Sequence, residues 1–199
     1  MSTLFSTLLL SLFMQVDSPP AGGVLFRDFS LKQAGGGYYT SAAHKDLKGM
    51  VLVFTCNHCP FARLYTQRLN NLARTCDSAG VQLLAINAMD TLVYEDETLE
   101  AMTLRAKTEG WKFPYLQDAD QSVAAMMGAV CTPQVFILWK EQKHWVMRYS
   151  GAIDSNGQEP ELAEAYAAEA LKDLLAGTMV RTPSTQAFGC RIYYRKQQP

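Results

Sequence analysis

Three mainly apolar runs in the chain predict strands that are buried on both faces. They cover residues 50–55, 81–87 and 134–139, and a glycine or a proline directly precedes each of them. Continuous runs of this kind are typical of central strands in a sheet that helices cover on both sides. Shorter stretches predict three further strands, at 24–31, 38–40 and 145–149.

Apolar residues three and four positions apart predict helices between these strands. The longest such pattern covers 61–76, and Gly80 is expected to end this segment. Further helices are predicted at 97–109, 122–127 and 161–176, with a hairpin turn at 140–143. This order predicts an α/β fold with a mixed central β-sheet, parallel in one half and antiparallel at an edge, flanked by α-helices.

The N-terminal segment differs from the rest of the chain. Residues 4–14 form an apolar run of signal-peptide length that is too short to span a bilayer as a helix. No basic residue precedes it and no clear cleavage pattern follows. We expect an arm or signal-like segment at 1–23 and one domain at 24–199, and the run favours an extracytoplasmic (periplasmic or secreted) location over a cytoplasmic one.

The composition narrows the possible functions. Hydrophobic residues make up 48% of the chain, and 18 basic against 19 acidic residues give a formal net charge of -1. Because phosphate binding needs clustered positive charge, we expect no nucleic-acid partner. The five cysteines are too few for a disulfide scaffold in a chain of this length. Nothing in the sequence indicates the oligomeric state.

Two of the cysteines, Cys56 and Cys59, lie two residues apart directly after a predicted buried strand. We expect a helix to begin at Cys56, so that its backbone amides and dipole favour the thiolate. Cys59 would lie one turn later and resolve the mixed disulfide that Cys56 forms. His58, between them, could donate a hydrogen bond to the thiolate or carry positive charge beside it.

Other chemistry remains open for the same residues. A structural zinc site would need two more ligands, and the chain has no second C-x-x-C and no H-x3-5-H pattern. Cys56 could instead be the nucleophile of a thiol peroxidase. Alternatively, Cys56, Cys59 and Cys131 could bind Cu(I) or Zn(II) through soft thiolates in a metal-handling protein.

The segment Thr-Cys-Asn-His-Cys-Pro-Phe at 55–61 resembles the peroxiredoxin-like, redoxin-domain branch of the thioredoxin-like superfamily. The likeness continues, in order, at 85–87, 113–116, 128–133 and 189–192. It implies a thioredoxin-like fold and a thiol-disulfide oxidoreductase that needs no cofactor or metal. The implied partners are a protein or small-molecule disulfide substrate and a dithiol electron donor or acceptor protein.

The resemblance also implies roles for residues outside the dithiol. Pro133 would be a cis-proline facing the cysteines, which leaves the Thr132 backbone free to pair with an incoming extended peptide. Cys131 would then lie near the dithiol, either as a third thiol or packed as a small hydrophobe. Cys190 belongs to the last shared motif, and the same two interpretations apply to it.

Three positions depart from related proteins, and one acid remains a candidate. Peroxidase members place a threonine where this chain has Val53, and thioredoxin places a buried acid where it has Met50. Thioredoxin also has a proline between its cysteines, whereas Pro60 follows the pair here. Asp90, at the end of a predicted strand, is either a proton acceptor for the second cysteine or a solvated turn residue.

Overall fold

The computed structural model describes residues 26–195, and the arm expected at 1–23 lies outside that range. Seven of the nine strands in the described range form one mixed sheet, in the order β2-β1-β5-β4-β3-β7-β8, while β6 and β9 pair separately. The strands are β1 Ser30–Gln33, β2 Tyr38–Thr40, β3 Gly49–Phe54, β4 Val81–Asn87, β5 Tyr115–Gln117, β6 Cys131–Thr132, β7 Gln134–Glu141, β8 His144–Gly151 and β9 Cys190–Arg191.

Five α-helices accompany the sheet in the described range. They are α1 Pro60–Arg63, α2 Thr66–Ala79, α3 Leu99–Thr108, α4 Ser122–Met127 and α5 Tyr166–Leu175. Among these residues, no helix combines the length and apolar character that a bilayer crossing requires.

The centre of the sheet follows the expected order. Strands β3, β4 and β5 run parallel, and the helices α1 to α3 lie in the crossovers between them. Strand β7 pairs antiparallel with β3 and continues through a hairpin into β8. Gln142 and Lys143 form the hairpin turn with φ of 47° and 73°, the positive values that a tight turn of matching twist requires. The predicted α/β class and mixed sheet are confirmed.

Successive side chains of the buried strands point to opposite faces of the sheet, so the core consists of two apolar layers. Val51 and Val53 of β3 face the layer that contains α2 and α5. Met50, Leu52 and Phe54 face the opposite layer, which contains α4 and both cysteines of the dithiol. The second layer therefore carries the candidate chemistry.

Several predicted boundaries are wrong. The helix expected at 61–76 is two helices, and the one expected at 161–176 begins only at Tyr166. Residues 26–29 of the strand expected at 24–31 are not extended in a ladder, and β1 starts at Ser30. Strands β5, β6 and β9 have two or three residues each, too few for a period to be recognised in the sequence.

Candidate active site

The segment that links β3 to α1 carries the dithiol. Helix α1 begins at Pro60, and Cys59 is its N-cap with φ -69° and ψ 117°. Proline is favoured at the first helical position and pushes the residue before it out of the helical region. The expectation that the helix begins at Cys56 is therefore wrong, and Cys59 rather than Cys56 lies at the helix start.

Thr132 contacts both sulfur atoms of the dithiol. Its hydroxyl lies 3.2 Å from the Cys56 Sγ, and its carbonyl oxygen lies 3.2 Å from the Cys59 Sγ, which donates to it. The Thr132–Pro133 peptide bond is cis. Both cysteines have an exposed fraction of 0%. The fold thus brings Cys56, Cys59, Thr132 and Pro133 together, as the resemblance implied.

The Thr132 backbone, however, is already paired. Strand β9 runs antiparallel to β6, with Cys190 opposite Thr132 and Arg191 opposite Cys131. The amide of Ile192 extends the pairing by donating to the Val130 carbonyl at 2.9 Å. The expectation of a free Thr132 backbone is wrong, because the chain's own C-terminal segment occupies that edge.

A buried carboxylate that the sequence analysis missed holds the segment between the cysteines. Glu97 is completely buried and accepts hydrogen bonds from the backbone amides of Asn57 and His58, each at 2.9 Å. The Asn87 side chain donates to it at 2.5 Å. Glu97 lies in a run of acidic residues that has the pattern of a solvated segment, so no local signal marks its burial.

His58 is paired with this carboxylate. Its Nδ1 lies 2.5 Å from Glu97 Oε1, and its ring stacks on Tyr94 with the centroids 4.2 Å apart. The imidazole therefore interacts with the Glu97 carboxylate and not directly with the Cys56 sulfur. Cys56, His58 and Glu97 nevertheless remain neighbours, with one sulfur, nitrogen and oxygen atom of the three all within 4.8 Å of one another.

Further hydrogen bonds hold the Cys56 backbone and the Asn57 side chain in place. Arg105 donates to the Cys56 carbonyl oxygen, and the Tyr115 hydroxyl donates to Asn57 Oδ1 at 2.9 Å. The Asn57 side chain donates from its Nδ2 to the Asp96 carbonyl oxygen at 2.6 Å. Because these contacts come from different strands and helices, the position of the Cys56 sulfur is set by the tertiary fold.

The environment of Cys56 disfavours its thiolate. Hydrogen bonding to Cys59 raises the pKa of Cys56 most, burial raises it further, and the negative charge of Glu97 adds to both. The Thr132 hydroxyl acts in the opposite direction by donating to the sulfur. The negative charge of Cys59 also raises the pKa, so Cys56 keeps its proton in the reduced pair.

The environment of Cys59 favours its thiolate. The hydrogen bond from Cys56 lowers the pKa of Cys59 most, and the Cys190 thiol and the Ala62 amide in the first turn of α1 lower it further despite burial. The Thr132 carbonyl accepts from the protonated form, but donors to this sulfur outnumber that single acceptor. Cys59 therefore carries the charge of the pair.

The remaining cysteines differ in their surroundings. Cys131 is buried, and burial raises its pKa to about 11. Cys190 is partly exposed and packs against the layer that holds the dithiol. Cys76 lies on α2 in the opposite layer, where burial raises its pKa to about 12. Only Cys131 and Cys190 are thus near enough to take part in chemistry at the dithiol.

Asp90 has a structural partner. Its carboxylate binds the Arg195 guanidinium, with Nε to Oδ2 at 2.7 Å, and accepts from the Leu92 amide at 2.8 Å. The hydrogen bond from Arg195 holds the pKa of Asp90 below its ordinary value. These contacts make Asp90 an anchor for the C-terminal segment, and the buried acid beside the dithiol is Glu97.

Together, Cys56, His58 and Glu97 offer a metal ion one sulfur, one nitrogen and one oxygen ligand atom. The Glu97 oxygens, however, already accept from two backbone amides, from Asn87 and from His58. A metal ion would have to displace these donors, so the arrangement fits a positioning carboxylate better than a metal ligand.

Replacement of Glu97 by glutamine is expected to destabilise the reduced protein by about 1–3 kcal/mol, because the new NH2 group would face hydrogen-bond donors in a buried site. Urea unfolding measures this loss. Glu95→Gln, an exposed acid in the same short 3-10 helix, is the matched control and is expected to change nothing. Equal stability of the two variants would contradict the assigned role of Glu97.

The chain is similar to known proteins over most of its length. Residues 23–149 match the AhpC/TSA family, and no curated protein matches the chain. A hypothetical protein of Sinorhizobium meliloti 1021 is 33% identical with a TM-score of 0.78, over 87% of this chain and 94% of that one. An uncharacterized conserved protein of Geobacillus kaustophilus is 30% identical with a TM-score of 0.81, over 94% of this chain and 100% of that one.

A more distant solved structure shares the fold. Peroxidoxin BcpB of Mycobacterium tuberculosis is 16% identical with a TM-score of 0.54, over 77% of this chain and 93% of that one. The family match covers well over half of the chain and includes both cysteines of the dithiol. The chain therefore belongs to the AhpC/TSA family and is an oxidoreductase that works through thiol chemistry.

Proposed function

We propose that this protein is a thiol–disulfide oxidoreductase whose working pair is Cys56 and Cys59. The observation that carries the proposal is that Thr132 lies 3.2 Å from both sulfur atoms. Two thiols held against one residue are placed to form a small intramolecular disulfide. When one of the two cysteines is oxidised, the other reacts with it and forms the Cys56–Cys59 disulfide before a third molecule can react.

The charge distribution supports an assignment of roles opposite to the one expected from the sequence. Cys59, as the thiolate, attacks a substrate disulfide and forms a Cys59–substrate bond, while the first substrate sulfur leaves as a thiolate. Cys56 then loses its proton and attacks the Cys59 sulfur. The Cys56–Cys59 bond forms and the second substrate sulfur leaves. Two electrons pass from the pair to the substrate, and Cys56 releases one proton, because Cys59 reacts as a thiolate.

Glu97 and His58 support the second step by their position. Cys56 must give up a proton, and the Glu97–His58 pair lies within 4.8 Å of its sulfur. A buried carboxylate paired with an imidazole can accept this proton without a water molecule entering the site. Two electrons that come from an external dithiol protein then reduce the Cys56–Cys59 bond and return the pair to its starting state.

Trapping of mixed disulfides tests the assignment. Cys56→Ser/Cys190→Ser lacks the resolving thiol and the neighbouring Cys190 thiol, and is expected to accumulate a covalent adduct with a disulfide substrate, measured as a mass shift on the intact protein. Cys59→Ser is expected to accumulate none, and Cys76→Ser serves as the control because Cys76 lies in the opposite layer. An adduct on Cys59→Ser alone would reverse the two roles, and no adduct on either variant would contradict the proposed function.

A further inference from the structure

The C-terminal strap, residues 189–195, lies across the cis-proline loop and outside the range that matches the family. Beyond β9, the Tyr194 hydroxyl donates to the Ala129 carbonyl at 2.5 Å, and the Arg195 amide donates to Gln121 Oε1 at 2.8 Å. The strap is thus held by hydrogen bonds along the segment that leads into the cis-proline loop.

Gly189 allows the strap to come this close. A Cβ atom at this position would lie 2.0 Å from the Thr132 carbonyl oxygen, and the glycine has a φ of 149°. Both facts exclude a larger residue without movement of the backbone. The close approach brings the next residue, Cys190, directly opposite Thr132.

The side chain of Cys190 points toward the dithiol. Residues directly opposite each other in an antiparallel ladder project from the same face. The Thr132 side chain on this face touches the Cys56 sulfur, and Cys190 packs against the apolar layer that contains Cys56 and Cys59. The two sulfurs are close enough for the Cys190 thiol to lower the pKa of Cys59 and for Cys59 to raise the pKa of Cys190.

Cys190 is also the one cysteine of the five that a partner can approach without a change in the fold. Cys56, Cys59, Cys76 and Cys131 are buried, whereas Cys190 is partly exposed. Disulfide exchange requires the attacking sulfur to reach the sulfur that it attacks. A folded dithiol protein therefore cannot reach the Cys56–Cys59 bond while the strap is in place.

We propose that Cys190 is a third redox-active thiol that relays exchange between the buried pair and an external dithiol protein. The inference rests on the proposed function of Cys56 and Cys59. The Cys190 thiolate attacks the Cys59 sulfur of the oxidised pair, so that the Cys59–Cys190 bond forms and the Cys56–Cys59 bond breaks. The proton lost by Cys190 ends on Cys56, and no electrons are gained or lost.

The external dithiol completes the cycle at the exposed sulfur. One of its thiolates attacks Cys190, which breaks the Cys59–Cys190 bond and forms a mixed disulfide. Its second thiol then attacks its own first sulfur and releases Cys190. Two electrons and one proton enter the protein, because Cys59 leaves as a thiolate, and the partner leaves as a disulfide.

The redox state of Cys59 affects the pKa of the Cys190 thiol. Burial raises the pKa of Cys190 most, and the hydrogen bond to Cys59 and its negative charge raise it further. Once Cys59 is part of a disulfide, its charge is gone and only burial and Cys131 oppose the Cys190 thiolate. Cys190 is thus a better nucleophile when the pair is oxidised, which is when the relay must act.

Disulfide mapping in Cys56→Ser tests the relay. After oxidation with diamide and blocking of free thiols, trypsin releases Cys59 in residues 49–63, Cys190 in 182–191, Cys131 in 113–140 and Cys76 in 75–105. We expect 49–63 linked to 182–191. The link should disappear in Cys56→Ser/Cys190→Ser and persist in Cys56→Ser/Cys76→Ser. A link from 49–63 to 113–140 in its place, or no link, would overturn the proposal.

A kinetic measurement on the otherwise native chain separates this inference from the proposed function. Cys190→Ser should lower the rate at which thioredoxin reduces the Cys56–Cys59 bond by at least about tenfold, while Cys76→Ser changes nothing. An unchanged rate in Cys190→Ser would overturn the relay and leave the proposed function intact. A wild-type protein that forms no Cys56–Cys59 bond would overturn the proposed function instead.

Discussion

Replacement of Cys59 by serine is expected to lower disulfide reductase activity on the order of 10³-fold or more, because the variant loses the thiolate that attacks the substrate. A serine hydroxyl at this position has no comparable nucleophilicity at neutral pH. Cys56→Ser/Cys190→Ser should also fail to turn over, but it should still consume one equivalent of substrate as a stable adduct. Initial rates and single-turnover stoichiometry with a peptide disulfide measure the two effects.

The control for this loss is Cys76→Ser. Cys76 is as buried as Cys59 but lies on α2 in the other apolar layer, so its replacement changes packing without touching the dithiol. Its rate should stay within about twofold of the wild-type rate, since chemistry at the pair is unaffected. Comparable losses in the Cys76 and Cys59 variants would mean that folding, and not nucleophilicity, explains the effect.

Replacement of Gly189 by alanine is expected to open the site. The new methyl group would overlap the Thr132 carbonyl oxygen at 2.0 Å, and a φ of 149° is strained for any residue with a Cβ. Strand β9 must then separate from β6, which uncovers the Thr132 backbone and both sulfurs of the pair. Labelling of Cys56 and Cys59 by a bulky maleimide should become at least about tenfold faster, because local opening limits access to buried groups.

Gly177→Ala provides the matched control for backbone strain. Gly177 also has a positive φ, 71°, but nothing lies within 4 Å of a Cβ placed there. Gly177→Ala therefore introduces backbone strain but no steric overlap, so the maleimide labelling rate of Cys56 and Cys59 should equal that of the wild type. Equal labelling of the Gly189 variant and the wild type would show that the strap does not cover the pair.

The sequence predicts the centre of this fold because burial on both faces leaves a continuous apolar run. Strands β3, β4 and β7 have that pattern, and the hairpin between β7 and β8 has a polar turn between apolar segments. Cys56, Cys59 and Pro133 are recognisable from local motifs. Their approach to one another requires the sheet order, which the sequence indicates through the alternation of strands and helices.

The remainder of the site depends on contacts between distant segments. Pro60 moves the helix start to Cys59, a local effect that its position after the second cysteine already indicates. The burial of Glu97 and the pairing of Cys190 with Thr132 have no such signal, because each partner lies about 40 or more positions away in the chain. Gly189 before Cys190 is the one local sign of a close backbone approach.

A single-turnover competition tests most directly whether the pair serves disulfide exchange. Reduced protein is mixed, in parallel, with a peptide disulfide and with hydrogen peroxide at equal concentrations, and the thiol state of Cys56 and Cys59 is followed by mass after acid quenching. The disulfide is expected to oxidise the pair faster, with a transient Cys59 adduct preceding the Cys56–Cys59 bond. Faster oxidation by peroxide, with a sulfenic acid trapped on either cysteine and the peptide disulfide left intact, would contradict the account and assign a peroxidase.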